Sequence, residues 1–258
     1  FYPRPFFYIK MSDTKKIISV DAMGGDHAPS AVLGGMNQFL YQYGEDTVFF
    51  RVFGDEKNLR ALLKKFPRVA RNCEIIHAPS VISGTDKVRD VIRHAQDTSM
   101  YMAIMDVRNG NSSAVVSAGN TGVLMALSKL ALKTVEGISR PAITTMLPSG
   151  NGDTRVVGLD LGANVVCDEE ILFDFAILGS VYAEIIGGMK RPRVGILNIG
   201  EEETKGSEAL QRLNKVLSEH AAELPYEYIG FVEGNDVTAG NVQVVVTDGF
   251  TGNVMLKT

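Results

Sequence analysis

Short apolar segments alternate along the chain with longer segments whose apolar residues recur with the period of a helix. The short segments predict strands over residues 17–20, 48–53, 74–77, 114–117, 142–147, 156–161, 194–199, 226–231 and 242–247. The periodic segments predict helices over residues 28–43, 56–66, 87–94, 99–107, 123–132, 169–187 and 207–223, and a last helix beginning near residue 251. Such alternation is typical of a mainly parallel sheet with helices on both faces, so we expect a three-layer α/β/α fold.

One connection and the two ends of the sequence depart from this pattern. Residues 148–152, which include one Pro, one Asn and two Gly, suit a tight reversal and predict an antiparallel pair of strands. Residues 1–10 hold five aromatic residues ahead of Met11, and we interpret them as a leader or a start-site artefact. Residues 11–258 are predicted to form a single catalytic domain. Because the last helix begins so near the end of the sequence, we expect a longer native polypeptide.

Composition and charge narrow the classes of function. Apolar residues make up 45% of the chain and charged residues 22%, which excludes a disordered, collagenous or coiled-coil protein. The net charge of -4 leaves no basic field for a nucleic acid. Cys73 and Cys167 are too few for a disulfide framework and lack CxxC spacing, which indicates a reducing cytoplasm. No window of about 18 consecutive apolar residues occurs, so the sequence predicts no membrane-spanning helix.

Five short glycine-containing loops follow predicted strands. They cover residues 21–27, 117–122, 160–164, 198–203 and 248–253. Because the carboxyl ends of parallel strands lie at one edge of a sheet, we expect these loops to line one crevice. Glycine lets the main chain approach a ligand closely, and amides at helix N-termini bind anions, so the loops indicate a phosphate ligand. For each loop the alternative stays open that its glycines serve only the turn or helix packing.

The more specific phosphate and metal motifs are missing from the sequence. No GxxxxGKS or GxxxxGKT sequence occurs, and the glycines at 150 and 152 are not followed by a third, which weighs against nucleotide hydrolysis and dinucleotide binding. No two histidines have the spacing of metal ligands. We therefore expect no metal and no cofactor.

Four single side chains carry weaker signals. His27 is a candidate acid or base, and the alternative is that it caps, with Asp26, the helix beginning near Pro29. Cys167 is a candidate nucleophile, although a buried free cysteine is the commoner case. Lys205 follows three glutamates, which is typical of a solvated helix start, but it also lies beside the expected crevice. Arg140 is either part of a surface ion pair or an anion contact.

Five motifs in order carry a resemblance to a known family. They are VDAMGGDHAP at 20–29, SAGNTG at 117–122, LDLGAN at 159–164, LNIGEE at 197–202 and VTDGFTGN at 246–253. On these motifs the chain resembles the PlsX family of bacterial phosphate acyltransferases over residues 16–258. The first motif is specific, and five in the same order make coincidence implausible.

The resemblance implies a reaction and its partners. A fatty acyl group would pass from acyl carrier protein to inorganic phosphate, and the acyl phosphate would feed glycerol-phosphate acylation in phospholipid synthesis. It also implies a fold similar to phosphotransacetylases and isopropylmalate dehydrogenases, a homodimer, a cytoplasmic location and a functional link to a membrane glycerol-phosphate acyltransferase. Family members continue beyond Lys257 and Thr258 with helices associated with membrane contact, so peripheral membrane contact is expected of the full-length protein. The aromatic leader has no counterpart in the family pattern.

The chemistry of this transfer suits the residues. Phosphate is already charged at neutral pH and a thiolate leaves readily, so no protein base is needed. We predict direct attack by phosphate held in loops, with the oxyanion on Asn164 or on main-chain amides, and with Lys205 and Arg140 holding phosphate or the acidic carrier. The predicted phosphate ligands are Ser117, Gly119, Thr121, Gly122, Asp248, Gly249, Thr251, Gly252 and Asn253. The catalytic candidates are His27, Asn120, Asn164 and Lys205, and the other crevice residues are Asp21, Gly24, Gly25, Asp26, Arg140 and Asp160.

Three alternatives stay open at this point. A phosphotransacetylase acting on short acyl-CoA would share the anion loops. A dehydrogenase of similar fold would bind NAD and a metal, for which a dense set of carboxylate ligands is not apparent. A noncatalytic scaffold that recruits enzymes of lipid synthesis would tolerate replacement of Asn120 by alanine.

Overall fold

A computed structural model describes residues 15–150 and 155–258, so the leader predicted at 1–10 and part of the 148–152 reversal lie outside the described residues. The strands are β1 (Lys16–Asp21), β2 (Val48–Gly54), β3 (Cys73–His77), β4 (Ala114–Ser117), β5 (Thr144–Pro148), β6 (Arg155–Leu159), β7 (Arg193–Leu197), β8 (Glu227–Val232) and β9 (Val244–Val246). The helices are α1 (Ser30–Tyr43), α2 (Glu56–Leu63), α3 (Pro67–Arg71), α4 (Val88–Val91), α5 (Ser99–Arg108), α6 (Thr121–Leu132), α7 (Glu169–Ile185), α8 (Glu208–Glu219), α9 (Gly234–Ala239) and α10 (Gly249–Lys257).

The chain divides into two compact units, one ending at Lys133 and one beginning at Thr134, and each unit has its own sheet. In the amino-terminal unit the strand order is β3-β2-β1-β4 and every pair is parallel. In the carboxy-terminal unit the order is β5-β6-β9-β7-β8, and only β5 runs antiparallel to its neighbour β6. The predicted α/β class with parallel sheets is confirmed, as is the antiparallel pair, and the strands are shared between two sheets.

Helices cover both faces of the amino-terminal sheet. Helix α1 buries Leu33, Met36 and Leu40, whose spacing of three and four residues places them on one side of the helix, against Val20 of β1. Burying three such side chains contributes about 1.5–3 kcal/mol each before the loss of chain entropy. The neighbouring Ser19 points to the opposite face, because strand side chains alternate, and there it contacts α5.

The contact between β1 and α5 is a buried polar network around Asp106. Its carboxylate accepts hydrogen bonds from Ser19 at 2.7 Å and from Ser112 at 2.5 Å, and it pairs with Arg51 at 3.0 Å. Burial raises the pKa of Asp106, but the hydrogen bonds from Ser112, Ser19, Arg51 and Asn111 outweigh burial and hold the pKa below its usual range. This network fixes α5 on the sheet through residues within β1 and β2 and through Ser112, which precedes β4.

Strand β4 forms an edge of this sheet and is less covered than the centre. An apolar cavity of about 480 Å³ lies beside α1, and its lining includes Ile18, Phe39, Phe50 and Val116. Val116 remains 56% exposed. The α1 face of the sheet is therefore less covered at β4 than at the other strands that line this cavity.

Helix α7 is the central helix of the carboxy-terminal unit. It buries Ile171, Leu172 and Phe175 against strands of the sheet. Gly179 allows the closest approach, because a Cβ atom there would lie 2.5 Å from Val244 Cγ1 and 2.8 Å from Leu159 Cδ1. The core of this unit thus depends on a residue without a side chain where the helix crosses β6 and β9.

The differences between predicted and observed helices fall on short segments. The predicted helix over 56–66 ends at Leu63, and α3 begins separately at Pro67, because the residue before a proline disfavours helical dihedrals and proline suits the first turn. Helix α9 was not predicted, since six residues are too few to show a helical period. The predicted helix over 87–94 is only Val88–Val91. The other elements lie close to their predicted positions.

Candidate active site

The first site feature is a buried carboxylate at the carboxyl end of β1. Asp21 is 2% exposed, and its Oδ1 accepts hydrogen bonds from Ser99 Oγ at 2.6 Å and from the Met23 amide at 3.2 Å. Its Oδ2 accepts from Ser117 Oγ at 2.7 Å. The Ser117 oxygen in turn accepts from the Gly119 amide at 3.1 Å. Asp21 therefore joins the loop after β1 to the loop after β4, which are adjacent parallel strands.

Two glycines let these loops touch. A Cβ atom on Gly24 would lie 2.7 Å from Asp21 Oδ2 and 2.7 Å from the Gly119 amide nitrogen. A Cβ atom on Gly119 would lie 2.8 Å from Met100 Cε. Gly25 has a φ of +99°, which L-residues with side chains rarely adopt. Glycine is therefore required at 24 for the close approach of the two loops and at 25 for the main-chain conformation, whereas at 119 the flexible end of Met100 is the nearest obstacle.

Asn120 forms the start of α6. Its Oδ1 accepts from the Val123 amide at 3.1 Å, which is an N-cap bond, and its Nδ2 donates to the carbonyls of Gly84 and Asp86. Both ends of the side-chain amide are thus engaged within the protein. The main-chain amides of Thr121 and Gly122 begin the helix, where no carbonyl of the preceding turn can accept from them, and both residues are exposed.

His27 and Asp26 lie in the exposed part of the loop after β1. Pro29 occupies the N-cap position of α1 and provides no side-chain cap bond, while the main-chain carbonyl of His27 accepts from the Ala31 amide. The side chains of Asp26 and His27 are thus not the N-cap of this helix. The acid or base role of His27 stays a prediction.

In the carboxy-terminal unit a second buried carboxylate follows a strand. Asp160 is 0% exposed, and its Oδ1 accepts from the amides of Ile143 at 2.9 Å, Ala163 at 3.0 Å and Gly162 at 3.2 Å. Its Oδ2 accepts from the Asn164 amide at 2.6 Å, from Asn164 Nδ2 at 2.9 Å and from Ala163 at 3.1 Å. The amides of the 160–164 loop are therefore already bound to an anion, which is the protein's own.

Asn164 has no free side-chain donor in this arrangement. Its Nδ2 donates both to Asp160 and to the Pro141 carbonyl at 2.9 Å, and the residue is 6% exposed. Its main-chain carbonyl accepts from the Gly249 amide. The geometry makes Asn164 a residue that shapes the loop, and the predicted contact with an oxyanion has no support from its contacts.

Helix α10 packs its first turn on this loop. A Cβ atom on Gly249 would lie 2.7 Å from the Asn164 amide nitrogen, and one on Gly252 would overlap the Asp160 carbonyl oxygen. Asn253 lies opposite Gly162. Loops 160–164 and 248–253 are thereby brought together, as predicted for the carboxyl ends of the neighbouring strands β6 and β9.

Asp248 is the N-cap residue of α10, so its carboxylate lies where the helix start would otherwise bind an anion. Its Oδ1 accepts from the Thr251 amide at 2.8 Å, and its Oδ2 accepts from Thr251 Oγ1 at 2.9 Å. Both donors that were predicted to hold phosphate at Thr251 are therefore engaged by a carboxylate. A helix start capped by an acid is a poorer site for a second anion than one capped by a neutral side chain.

The loop after β7 belongs to the same edge, because β7 pairs in parallel with β9. Asn198 closes it by donating to the Lys205 carbonyl at 3.2 Å, while Lys205 and the three preceding glutamates are exposed. Arg140 is also exposed. The described residues thus place three of the predicted loops at one edge of the carboxy-terminal sheet and two at one edge of the amino-terminal sheet. That all five line one crevice stays a prediction.

Cys167 lies close to these acids and is unsuited to nucleophilic attack. Burial, with added repulsion from Asp160 and Asp248, raises the pKa of its thiol to about 11. Arg140 acts in the opposite direction and is outweighed. Since the thiolate is the reactive form, the structure favours the interpretation that Cys167 is an unreactive free cysteine, although it is half-buried and not fully buried.

We expect Cys167 to resist alkylation at neutral pH. A thiol of pKa about 11 is only roughly one part in a thousand thiolate at pH 8, so iodoacetamide should modify it about a hundredfold more slowly than an ordinary thiol. The rate should rise tenfold per pH unit up to about pH 10. The Cys73→Ser variant isolates this thiol for mass spectrometry, and a model peptide is the control. Alkylation at the peptide's rate at pH 7 would contradict the assignment.

Candidate metal centres and membrane-spanning helices are both missing from the described part of the chain. No group of three or more His, Cys, Asp or Glu side chains within residues 15–150 and 155–258 is arranged to hold a metal ion. No helix in the described part of the chain is long and apolar enough to cross a membrane.

Comparison with known proteins decides the family. Residues 16–258 match the family described as fatty acid synthesis protein. The chain belongs to this family. A phosphate acyltransferase of Maricaulis maris is 44% identical to this chain over 241 residues, which cover 93% of this chain and 68% of that protein. A phosphate acyltransferase of Neorickettsia sennetsu is 46% identical over 246 residues, covering 95% and 70%. The family that the five motifs predicted is confirmed.

Solved structures of low sequence identity resemble this chain in fold. A phosphotransacetylase from Streptococcus pyogenes matches with a TM-score of 0.72 at 17% identity, covering 96% of this chain and 82% of that chain. EutD phosphotransacetylase from Staphylococcus aureus matches with a TM-score of 0.64 at 21% identity and the same coverage. They support the predicted similarity of fold to phosphotransacetylases.

Proposed function

We propose that this chain is a phosphate acyltransferase that moves a fatty acyl group from an acyl carrier protein thioester to inorganic phosphate. Membership of the fatty acid synthesis protein family and the name of the relatives support acyl transfer to phosphate. The products are an acyl phosphate and the free thiol of the carrier. The identity of the acyl donor, an acyl carrier protein, is supported only by the resemblance that the five motifs carry.

The observation that carries the choice of phosphate site is the contrast between two helix starts. Helix α6 is capped by the neutral Asn120, and no hydrogen bond among the described residues joins a carboxylate to the amides of Thr121 and Gly122, which are exposed residues. Helix α10 is capped by Asp248, which already binds the amide and hydroxyl of Thr251. We therefore assign phosphate to loop 117–122, and we assign Gly249, Gly252 and Asn253 to the packing of loop 160–164.

The reaction follows from what such a loop supplies. A phosphate oxygen attacks the thioester carbonyl carbon, the negative charge moves to the carbonyl oxygen, and the C–S bond then breaks as the thiolate leaves and takes a proton from water or His27. Phosphate brings its own charge, so the protein contributes position and stabilisation of the oxyanion by hydrogen-bond donors. Loop amides at a helix start provide both without a serine, histidine and aspartate arrangement.

The remaining predicted residues have supporting roles in this proposal. Asn120 and Asn164 position loops through their engaged amides. Lys205 and Arg140 are exposed cations that fit phosphate or an acidic carrier. We also propose a homodimer in the cytoplasm, a functional link to a membrane glycerol-phosphate acyltransferase, and peripheral membrane contact in the full-length protein.

The test compares acyl donors with and without phosphate. We expect thiol release from long-chain acyl carrier protein to require phosphate and to match hydroxylamine-trappable acyl phosphate in amount. The structural neighbours favour one second candidate, a phosphotransacetylase that uses short acyl-CoA. Faster turnover of acetyl-CoA than of the long-chain carrier thioester would select it, and thiol release without phosphate would contradict both.

A further inference from the structure

A serine that the sequence does not distinguish lies beneath the proposed phosphate loop. Ser99 is the first residue of α5, is 1% exposed, and donates its hydroxyl to Asp21 Oδ1 at 2.6 Å. This hydroxyl is not needed to begin the helix, because Thr98 Oγ1 provides the cap bond to the Tyr101 amide. The Ser99 hydroxyl serves Asp21.

From Asp21 the hydrogen bonds continue into the phosphate loop. Asp21 Oδ2 accepts from Ser117 Oγ at 2.7 Å, and Ser117 Oγ accepts from the Gly119 amide at 3.1 Å. The chain of bonds therefore connects the start of α5, the end of β1 and the loop after β4. Because Asp21 is buried, each lost partner leaves an acceptor without water to replace it.

We propose that Ser99 is a positioning residue for phosphate, acting through Asp21 on loop 117–122. This inference rests on the assignment of phosphate to that loop. Without Ser99 the only remaining partner of Asp21 Oδ1 among the contacts described is the Met23 amide at 3.2 Å, so the carboxylate can rotate. Rotation weakens its bond to Ser117, and the amides from Gly119 to Gly122 lose their fixed direction. Ser99 touches neither phosphate nor thioester.

The same strand provides a matched control. Ser19 lies two residues before Asp21, is 0% exposed, and donates to Asp106 Oδ2 at 2.7 Å. Residue type, burial and bond length are alike, but the other partners of Asp106 are Arg51, Asn111 and Ser112, none of which belongs to loop 117–122. A purely structural role predicts equal consequences for Ser99→Ala and Ser19→Ala, whereas positioning predicts that only Ser99→Ala changes phosphate kinetics.

The experiment measures steady-state kinetics in phosphate and amide hydrogen exchange over residues 117–122. We expect Ser99→Ala to raise KM for phosphate roughly tenfold, the effect of losing one hydrogen bond to a charged group, with kcat changed less than about threefold. Exchange in the loop should accelerate. Ser19→Ala should leave both readouts within about twofold of wild type. If Ser99→Ala does not fold, Ser99→Cys, which keeps a weak donor, should give the same changes to a smaller extent.

Each outcome decides the inference. Unchanged KM and exchange in Ser99→Ala, or equal changes in Ser19→Ala, would overturn it while leaving the acyltransferase intact. If the wild type makes no acyl phosphate, the proposed function fails, and calorimetric titration with inorganic phosphate then replaces KM as the readout. Weaker phosphate binding by Ser99→Ala than by Ser19→Ala would support the inference in that case. A wild type that binds no phosphate would overturn it.

Discussion

Gly24→Ala is expected to lower kcat/KM for phosphate by roughly a hundredfold, the scale on which a displacement of about 1 Å affects catalysis. The new methyl group would lie 2.7 Å from both Asp21 Oδ2 and the Gly119 amide nitrogen, and 2.9 Å from Ser117 Oγ. These three atoms are buried or half-buried and are joined to one another by hydrogen bonds, so none can move aside as the end of a flexible side chain would. The variant should displace the loop that holds phosphate.

A matched glycine separates this effect from a general one. Gly34 lies within α1, and a Cβ atom there meets nothing within 4 Å. Gly34→Ala should retain wild-type kinetics and gain about 0.5–1 kcal/mol in free energy of unfolding, because alanine is the better helix former. The measurement is initial rate against phosphate concentration, with urea unfolding to show that Gly24→Ala is folded. Wild-type kinetics in a folded Gly24→Ala would contradict the assigned loop.

Asp160→Asn is expected to lower the free energy of unfolding of the chain by roughly 3–5 kcal/mol, the range for disrupting a buried charged network. The carboxylate receives four main-chain amides and Asn164 Nδ2, all of them donors. An asparagine places its own NH₂ group against some of these donors. The 160–164 loop and the first turn of α10 that packs on it should then lose their order. Urea unfolding monitored by circular dichroism measures the loss.

Asp174→Asn is the control for this second prediction. Asp174 Oδ2 accepts from the Ser139 amide and hydroxyl, both at 2.8 Å, at the surface of the same unit. Exposed hydrogen bonds contribute little, so this variant should lose about 1 kcal/mol or less. Equal destabilisation by the two variants would show that Asp160 is not the anion around which the loop is built.

Hydrophobic periodicity predicted the strands and the loops that follow them because both depend on local sequence patterns. Strand β4 has the predicted bounds, and the loops after β1, β4, β6, β7 and β9 follow their strands as expected. Short elements were missed where fewer than two helical turns leave no period, as in α9. The division into two sheets depends on which strands pair over long separations, and alternation alone does not encode that.

Whether the hydrogen-bond donors of the loops are already bonded within the protein was harder to predict. Asn164 ends a glycine-containing loop, where its side-chain amide was expected to be free to bind an oxyanion. Folding brings it against Asp160 and the Pro141 carbonyl, so its donors are engaged. Asp248 was predicted to bind phosphate, although an aspartate three residues before Thr251 at a helix start has the pattern of an N-cap. That local signal could have been recognised.

Ser99 illustrates the limit of sequence reasoning. It is 78 residues from Asp21 in the chain and lies at an ordinary helix start, so no motif joins the two. Only the packing of α5 on the sheet shows that its hydroxyl reaches the carboxylate behind the proposed phosphate loop.

The most direct test of the central claim is to follow the oxygen atoms of phosphate. With long-chain acyl carrier protein and ¹⁸O-labelled inorganic phosphate, phosphorus NMR should show an acyl phosphate that retains all four labelled oxygens, formed in step with free thiol. Direct attack by phosphate on the thioester carbon requires this result. Release of the carrier thiol together with free fatty acid at the same rate without phosphate, or an acyl adduct on the protein itself by mass spectrometry, would contradict it.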